Sequence, residues 1–259
     1  MAKIAVISDI HGNLEALQAV LKDIEQTDAR RIVCLGDVIG YGPNPVECAD
    51  IARGFDVVLC GNHEWATIFE PVGFHATARK ALKWTARRLK PRWYSLGKRV
   101  RRWRWIKRLP KQHKEGRLVF VHGSPRSPID EYILRSDVDE VLGENSPKVL
   151  DAFEKTDWIT FVGHSHTPGI VTEEARYTET EELSDGRYKC RTDAKYLVNV
   201  GSVGQPRDRN WLACYVIFDS SSGELEYHRV VYDVDLTLAK IKKIPDIDDS
   251  LGERLKIGS

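Results

Sequence analysis

Ile4-Ala5-Val6-Ile7-Ser8-Asp9-Ile10-His11-Gly12-Asn13-Leu14-Glu15-Ala16-Leu17 is the stretch whose reading decides the fold. Ile4 to Ile7 is an apolar run of strand length. Asn13 suits a helix N-cap, because its side-chain oxygen accepts a backbone N–H that has no intrahelical partner. Leu14, Leu17, Val20, Leu21 and Ile24 then recur at helical spacing. The same alternation continues downstream. Ile32 to Leu35 reads as a second strand, and a short helix opens at Pro43 to Pro45 and runs through Ala52, with Gly54 at its end. Val57 to Cys60 reads as a third strand. Strand, helix, strand, helix, strand predicts right-handed βαβ units and a parallel α/β sheet.

The rhythm breaks after Glu64. Ala76 to Leu89 and Leu96 to Leu109 read as two helices crowded with Arg, Lys and Trp. Strand patterns resume at Leu118 to Val121, Trp158 to Val162, Gly169 to Thr172, Tyr196 to Val200, Leu212 to Phe218 and Leu225 to Val231. Little helix separates these later strands, which predicts a second, more antiparallel sheet. Thr172 to Asp185 is acidic and reads as an exposed hairpin or loop. The tail after Val234 reads as a short helix packed on the body.

Bulk properties narrow the function classes. The chain has 259 residues, 42% hydrophobic and 30% charged, enough for one substantial core. Its longest apolar runs are strand-length, far short of the roughly 18 residues a membrane span needs. The apolar run before Ser8-Asp9 is too short for a signal-peptide core. Five scattered cysteines, with no C-x-x-C pair, suit buried free thiols and a reducing cytoplasm. The net charge of +1 hides an asymmetry: 16 of the 39 Lys and Arg fall between Arg79 and Lys114, and no acidic residue lies between Glu70 and Glu115. The basic block is a separate feature.

Five segments share one design, an apolar strand followed at once by metal-ligand residue types. They are Ser8-Asp9-Ile10-His11-Gly12, Gly36-Asp37, Gly61-Asn62-His63-Glu64, Val121-His122-Gly123 and Gly163-His164-Ser165-His166. Ligands bind at the carboxyl ends of strands in open α/β sheets. One D-x-H or G-D alone is a turn as readily as a ligand, but five strand ends carrying Asp, His and Asn are hard to explain as packing.

In this order, D-x-H, G-D, G-N-H-[D/E], H-G and G-H-x-H, the chain resembles the calcineurin-like metallophosphoesterase superfamily. The strings Ser8 to Leu17, Gly36-Asp37-Val38-Ile39-Gly40-Tyr41-Gly42-Pro43 and Asn199-Val200-Gly201-Ser202-Val203-Gly204-Gln205-Pro206-Arg207 resemble its small prokaryotic branch, which includes phosphodiesterases and dinucleoside-polyphosphate hydrolases. The resemblance covers essentially the whole chain. It implies one domain over 1–259, a two-sheet α-β-β-α sandwich with a helical cap insertion at 73–114. It departs in one detail, Glu64 standing where many members have Asp. Position by position it implies that Asp9, His11 and His166 bind one metal, that Asn62, His122 and His164 bind the other, and that Asp37 bridges them. Carboxylate, imidazole and amide donors without thiolate suit Mn, Fe, Zn, Ni or Co. Two ions roughly 3.5–4 Å apart share a hydroxide for in-line attack at phosphorus.

His63 follows the ligand Asn62 directly, so its side chain should project toward the leaving group. Two roles stay open: a general acid or phosphate clamp oriented by Glu64, or a histidine that only hydrogen-bonds a ligand. Gly201 to Arg207 reads either as a backbone cradle for phosphate, with the Arg207 guanidinium, or as a plain turn. Tyr41 either stacks on a base or packs. The basic cap, with Trp103 and Trp105 among its cations, suits polyphosphates, nucleotides or RNA, or else a solvated face paired with the acidic Glu173 to Asp185 loop.

These readings converge on a metal-dependent phosphoesterase acting on phosphodiesters or nucleotide polyphosphates. Its rivals are a phosphomonoester or phosphoprotein phosphatase and a nucleic-acid-binding protein using the fold as a scaffold. Oligomeric state is not legible, and no membrane partner is expected.

Overall fold

The computed structural model describes residues 3–71 and 73–259. The first half contains β1 (Lys3–Ile7), α1 (Leu14–Ile24), β2 (Ala29–Cys34), α2 (Pro45–Ala52), β3 (Val57–Val58), α3 (Asn62–Ile68), α4 (Ala76–Leu89), α5 (Lys98–Ile106), β4 (Gln112–Glu115) and β5 (Leu118–Val121). The second half contains β6 (Val138–Asp139), β7 (Glu144–Asn145), α6 (Pro147–Glu154), β8 (Ile159–Val162), β9 (Gly169–Thr172), β10 (Tyr177–Glu179), β11 (Arg187–Lys189), β12 (Tyr196–Asn199), β13 (Ala213–Asp219), β14 (Glu224–Val230), α7 (Val234–Lys242) and α8 (Ser250–Glu253).

One six-stranded sheet runs β11-β14-β13-β1-β2-β3 and a second runs β10-β9-β12-β8-β5-β4. Strands β1, β2 and β3 are parallel, as the opening pattern predicts, with Ile7 beside Cys34. Asn13 caps α1, its side chain accepting the N–H of Ala16.

Period-two alternation builds the layers. Ile4 and Val6 face inward onto Phe120, Phe161, Val198 and Phe218, while Ala5 and Ile7 face outward onto Leu17, Val20 and Ala49. Phe120 stacks on Phe161 with centroids 5.2 Å apart, and Phe161 meets Phe218 of the other sheet at 5.4 Å. Each such buried side chain contributes about 1.5–3 kcal/mol by leaving water. Val149, Ala152 and Phe153 of α6 cover the outer face of the second sheet against Val171 and Leu197. The result is an α-β-β-α sandwich.

Three details differ from the sequence reading. The late strands do not all form a second sheet: β13 and β14 return to the first, where β13 lies antiparallel to β1 with Ala5 opposite Ile217. Both sheets are therefore mixed, because an antiparallel hairpin fits either sheet and packing against α1 decides. The segment up to Lys114 is not wholly helical, since Gln112 to Lys114 belong to β4 and hydrogen-bond to β5. The tail forms two helices, α7 and α8, rather than one.

Helix α4 stands against the tail. Ala81, Ile241, Ile247, Leu251 and Leu255 form one buried cluster that also contacts Tyr41 and Trp84. Helix α5 is pinned by Arg102, 6% exposed, whose guanidinium donates to both oxygens of Asp50 at 2.8 and 2.5 Å. Other cap cations pair with Asp246 (Arg87) and Asp157 (Lys114). Among the described residues none pairs with the acidic Glu173 to Asp185 segment, so that expected pairing is not made. The segment supplies the turn and the β10 strand of the β9–β10 hairpin and is largely exposed, with Tyr177 and Thr178 buried. All five cysteines are free and buried. Among the described residues no helix is long and apolar enough to cross a membrane.

Candidate metal centre

The loops after β1, β2, β3, β5 and β8 converge at one rim. Five of the residues they deliver, Asp9, His11, Asp37, His164 and His166, have φ between 49° and 63°. Left-handed backbone costs a non-glycine residue roughly 1–2 kcal/mol, so five at one rim mark strain held for a purpose. Glycines make room beside them. At Gly40, φ +135°, a Cβ would lie 2.2 Å from His63 Nδ1; at Gly61 it would lie 2.1 Å from Asp37 Oδ1.

Two donor clusters result. In the first, Asp9 Oδ1 lies 3.1 Å from His166 Nε2 and 3.5 Å from His11 Nε2, and the two imidazole nitrogens are 3.0 Å apart. In the second, His122 Nε2 lies 3.1 Å from Asn62 Oδ1, 3.2 Å from His164 Nδ1 and 3.4 Å from Asp37 Oδ2. Asp37 Oδ2 also lies 3.7 Å from His11 Nε2. One carboxylate oxygen therefore faces both clusters.

Each aspartate is held by its other oxygen. The N–H of His164 donates to Asp9 Oδ2 at 3.0 Å, and the N–H of His63 donates to Asp37 Oδ1 at 2.8 Å. Asp9 Oδ1 has no donor. The outer imidazole nitrogens are anchored to backbone: His164 Nε2 to Asp130 O at 3.2 Å and His166 Nδ1 to Gln205 O at 2.5 Å. These bonds fix the tautomers, so the lone pairs of His164 Nδ1 and His166 Nε2 point inward. Burial, with His122 next, pushes His164 down to about 3; burial, with Arg207 next, pushes His166 down to about 4. Burial would lower His122 as well, but Asp37 and then Asp9 outweigh it and hold His122 at about 9. Burial would raise both aspartates, yet His166 and His122 hold Asp9, and His122 and His63 hold Asp37, well below the carboxylate range.

Inward lone pairs beside two ionised carboxylates, with a buried orphan oxygen between them, repel one another unless a cation lies at their centre. The donor chemistry fits divalent metal: three overlapping groups, Asp9, His11 and His166, Asp37, His122 and His164, and His11, Asp37 and His63, each keep their ligand atoms within 4.8 Å.

His63 is buried beside the clusters, its Nε2 3.9 Å from Asp37 Oδ2 and its ring 4.5 Å from those of His11 and Tyr41. Burial drives its pKa well down despite Asp37. The expectation that Glu64 orients His63 is not met. Glu64 Oε2 accepts the N–H groups of Asp37 (2.8 Å) and Gly61 (3.0 Å), and Oε1 that of Ile39 (3.1 Å). It ties the Asp37 loop to the start of α3, the N3 half of a capping box. Nor is Gly201 to Arg207 a free cradle. The N–H groups of Gly201, Val203, Gly204, Gln205 and Arg207 are taken by Asn199 Oδ1, Ser8 O, Asp9 O, Ser202 Oγ and His166 O. Gly201 turns the chain, and Gln205 O anchors His166.

The rim opens into a cleft of about 1080 Å³, lined by Tyr41, Phe74, Tyr132, Arg207 and Arg254. Tyr132 stacks on His164 at 3.8 Å. Asp130, Tyr132 and Arg254 were not read from the sequence. Asp130 and Tyr132 sit in an irregular segment and Arg254 in a short helical turn of the tail, and no motif announces them.

A sandwich of two mixed sheets with a carboxylate, imidazole and amide donor set at its strand ends is the architecture of metal-dependent phosphoesterases. The chain belongs to the calcineurin-like phosphoesterase family, whose model matches residues 2–199. Phosphoester hydrolysis supported by divalent metals is the chemistry of that family. The chain is 37% identical to an uncharacterized protein of Methanocaldococcus jannaschii over 98% of both chains. It is similar to a metallophosphoesterase of Sphaerobacter thermophilus, with 32% identity, TM-score 0.82, and 100% and 99% of the two chains covered. A hypothetical protein of Pyrococcus horikoshii shares the fold at 20% identity and TM-score 0.75, over 100% and 99%.

Proposed function

We propose that the protein is a dinuclear metal-dependent phosphohydrolase acting on phosphodiester or nucleotide polyphosphate bonds, built as one domain with the cap as an insertion. Asp9, His11 and His166 would hold one divalent ion, and Asn62, His122 and His164 the other. The observation that carries the reading is Asp37 Oδ2, 3.4 Å from His122 Nε2 and 3.7 Å from His11 Nε2, facing both clusters. Mn, Fe, Zn, Ni and Co all suit the donors. When bound, such ions supply Lewis acidity to the phosphoryl oxygens and lower the pKa of a water nucleophile. His63, buried beside Asp37 and kept neutral by burial, would clamp the phosphoryl group through an imidazole N–H; the alternative role, general acid to the departing oxygen, requires it to take up a proton first, which burial opposes. The five free thiols support a reducing, cytoplasmic setting.

The cap's outer face supports contact with nucleic acid or another polyanion as part of the same reading. Trp93 is 96% exposed, beside exposed Tyr94 and Arg92, and the cap has no acidic residue of its own.

The test is a metal-reconstituted activity panel over an aryl phosphomonoester, an aryl phosphodiester, dinucleoside polyphosphates and short RNA. Hydrolysis that disappears in Asp37→Asn is expected. No hydrolysis of any ester with any of the five metals would overturn the reading.

A further inference from the structure

Two guanidiniums line the cleft that holds the ligand clusters. Arg207 comes from the segment after β12, and Arg254 from the helical turn Arg254–Lys256 that follows α8. Among the described residues neither makes an ion pair with a carboxylate, although Glu70 and Asp130 line the same cleft. Arg207 Nη2 donates to Gln205 Oε1 at 2.8 Å, but its Nε is buried with no acceptor. Its guanidinium carbon lies 5.9 Å from the Tyr41 ring centroid.

Arg254 lies close enough that burial first, and the charge of Arg207 next, push its pKa below the ordinary arginine value. The Tyr41 hydroxyl feels both cations. This placement is built in. Leu251 and Leu255, four residues apart, bury against Ala81 and Ile241, and fix the tail beside Tyr41. The N–H groups of Ile257 and Ser259 close onto Arg254 O. Two guanidiniums lining one cleft with no carboxylate partner among the described residues repel until an anion joins them, and phosphate matches the guanidinium fork.

We propose that Arg207 and Arg254 form a second anion subsite, which receives a phosphoryl group linked to the one at the metal-ligand rim. The preferred substrates then carry two adjacent phosphoryl groups, as nucleotide polyphosphates do, rather than one diester phosphate. This inference rests on the phosphoesterase reading of the rim.

Calorimetry on the metal-loaded protein tests it with AMP and the α,β-methylene analogue of ADP, which differ by one phosphoryl group. The wild type is expected to favour the analogue by about tenfold or more, and Arg254→Met to lose that preference. In kinetics, the kcat/KM ratio of dinucleoside tetraphosphate to aryl phosphodiester should fall about tenfold in Arg254→Met, mainly through KM. Lys243→Met, on the exposed tail outside the cleft, should change neither. A retained preference for the analogue, or equal losses on both substrates, would overturn the subsite. If no ester is hydrolysed, the phosphoesterase reading fails instead, and the calorimetry alone decides the subsite.

Discussion

The backbone N–H of His63 holds Asp37 Oδ1 at 2.8 Å, while the imidazole Nε2 of the same residue stands 3.9 Å from Asp37 Oδ2. One residue thus orients the carboxylate that faces both donor clusters with its main chain and faces the cleft with its side chain. The two tasks are separable, because substitution removes only the second.

His63→Asn should therefore keep both metals and the folded state while losing activity. Removing a proton donor or phosphate clamp at such a position costs typically 10²–10⁴-fold in turnover. Metal content by elemental analysis, measured beside kcat, is the check. Metal loss in proportion to activity loss would mean that His63 serves the ligands and not the chemistry.

Gly40→Ala attacks the same residue from behind. The added Cβ would sit 2.2 Å from His63 Nδ1 and 3.0 Å from His11 Nδ1, at φ +135°. Both rings must move, so activity should fall at least about 100-fold, in line with the sensitivity of catalysis to ångström displacements. Because His11 belongs to a ligand cluster, the metal content should also drop, unlike that of His63→Asn. Near-normal turnover in a folded Gly40→Ala protein would show that the ring positions matter little.

How much of this was legible follows from which forces set it. The five strand-end motifs and the strands β1 and β2 were readable, since period-two burial and ligand residue types are written locally. The return of β13 beside β1 was not, because an antiparallel strand carries no mark of the sheet it joins. The role of Glu64 was misread for a related reason: its partners are the N–H groups of Asp37, Gly61 and Ile39, and main-chain partners leave no trace in side-chain sequence. Arg254 lies 47 positions from Arg207 in an otherwise ordinary tail, and only the docking of Leu251 and Leu255 brings it to the cleft.

Acid–base behaviour gives a third test. In the metal-free protein His122 titrates at about 9, burial opposing and Asp37 with Asp9 raising it. Its folded pKa exceeds the unfolded value near 6.5, so its contribution is fully present below pH 6.5 and is lost as pH rises through about 9. Glu64, raised to about 8 by burial and then Asp37, acts in the same direction above its unfolded value. The depressed histidines add no pH dependence above 6.5. Metal-free protein should therefore lose stability between pH 6.5 and 9, by a few kcal/mol at most. Metal-loaded protein should not, because the ions replace the proton and bind more tightly as it leaves. Thermal melts with and without chelator across this range are the measurement. Parallel curves would remove His122 from the ligand set.

The cap offers a contrast between two ion pairs. Arg102 is 6% exposed and doubly hydrogen-bonded to Asp50, whereas Lys114 and Asp157 pair at 2.8 Å with both side chains about half exposed. Asp50→Ala leaves a buried guanidinium without its acceptor, the circumstance in which breaking a pair costs most. Asp50 itself is 39% exposed, so solvent reduces the cost to about 1–2 kcal/mol. Asp157→Ala should leave stability essentially unchanged, since solvent already screens that pair. Denaturant melts of the two variants should thus separate clearly. Asp50→Ala should also loosen α5 from α2 and raise KM for any substrate that reaches the cap. Equal stability losses would mean that Arg102 finds another acceptor and that the cap is held by its apolar contacts with α2 and the tail.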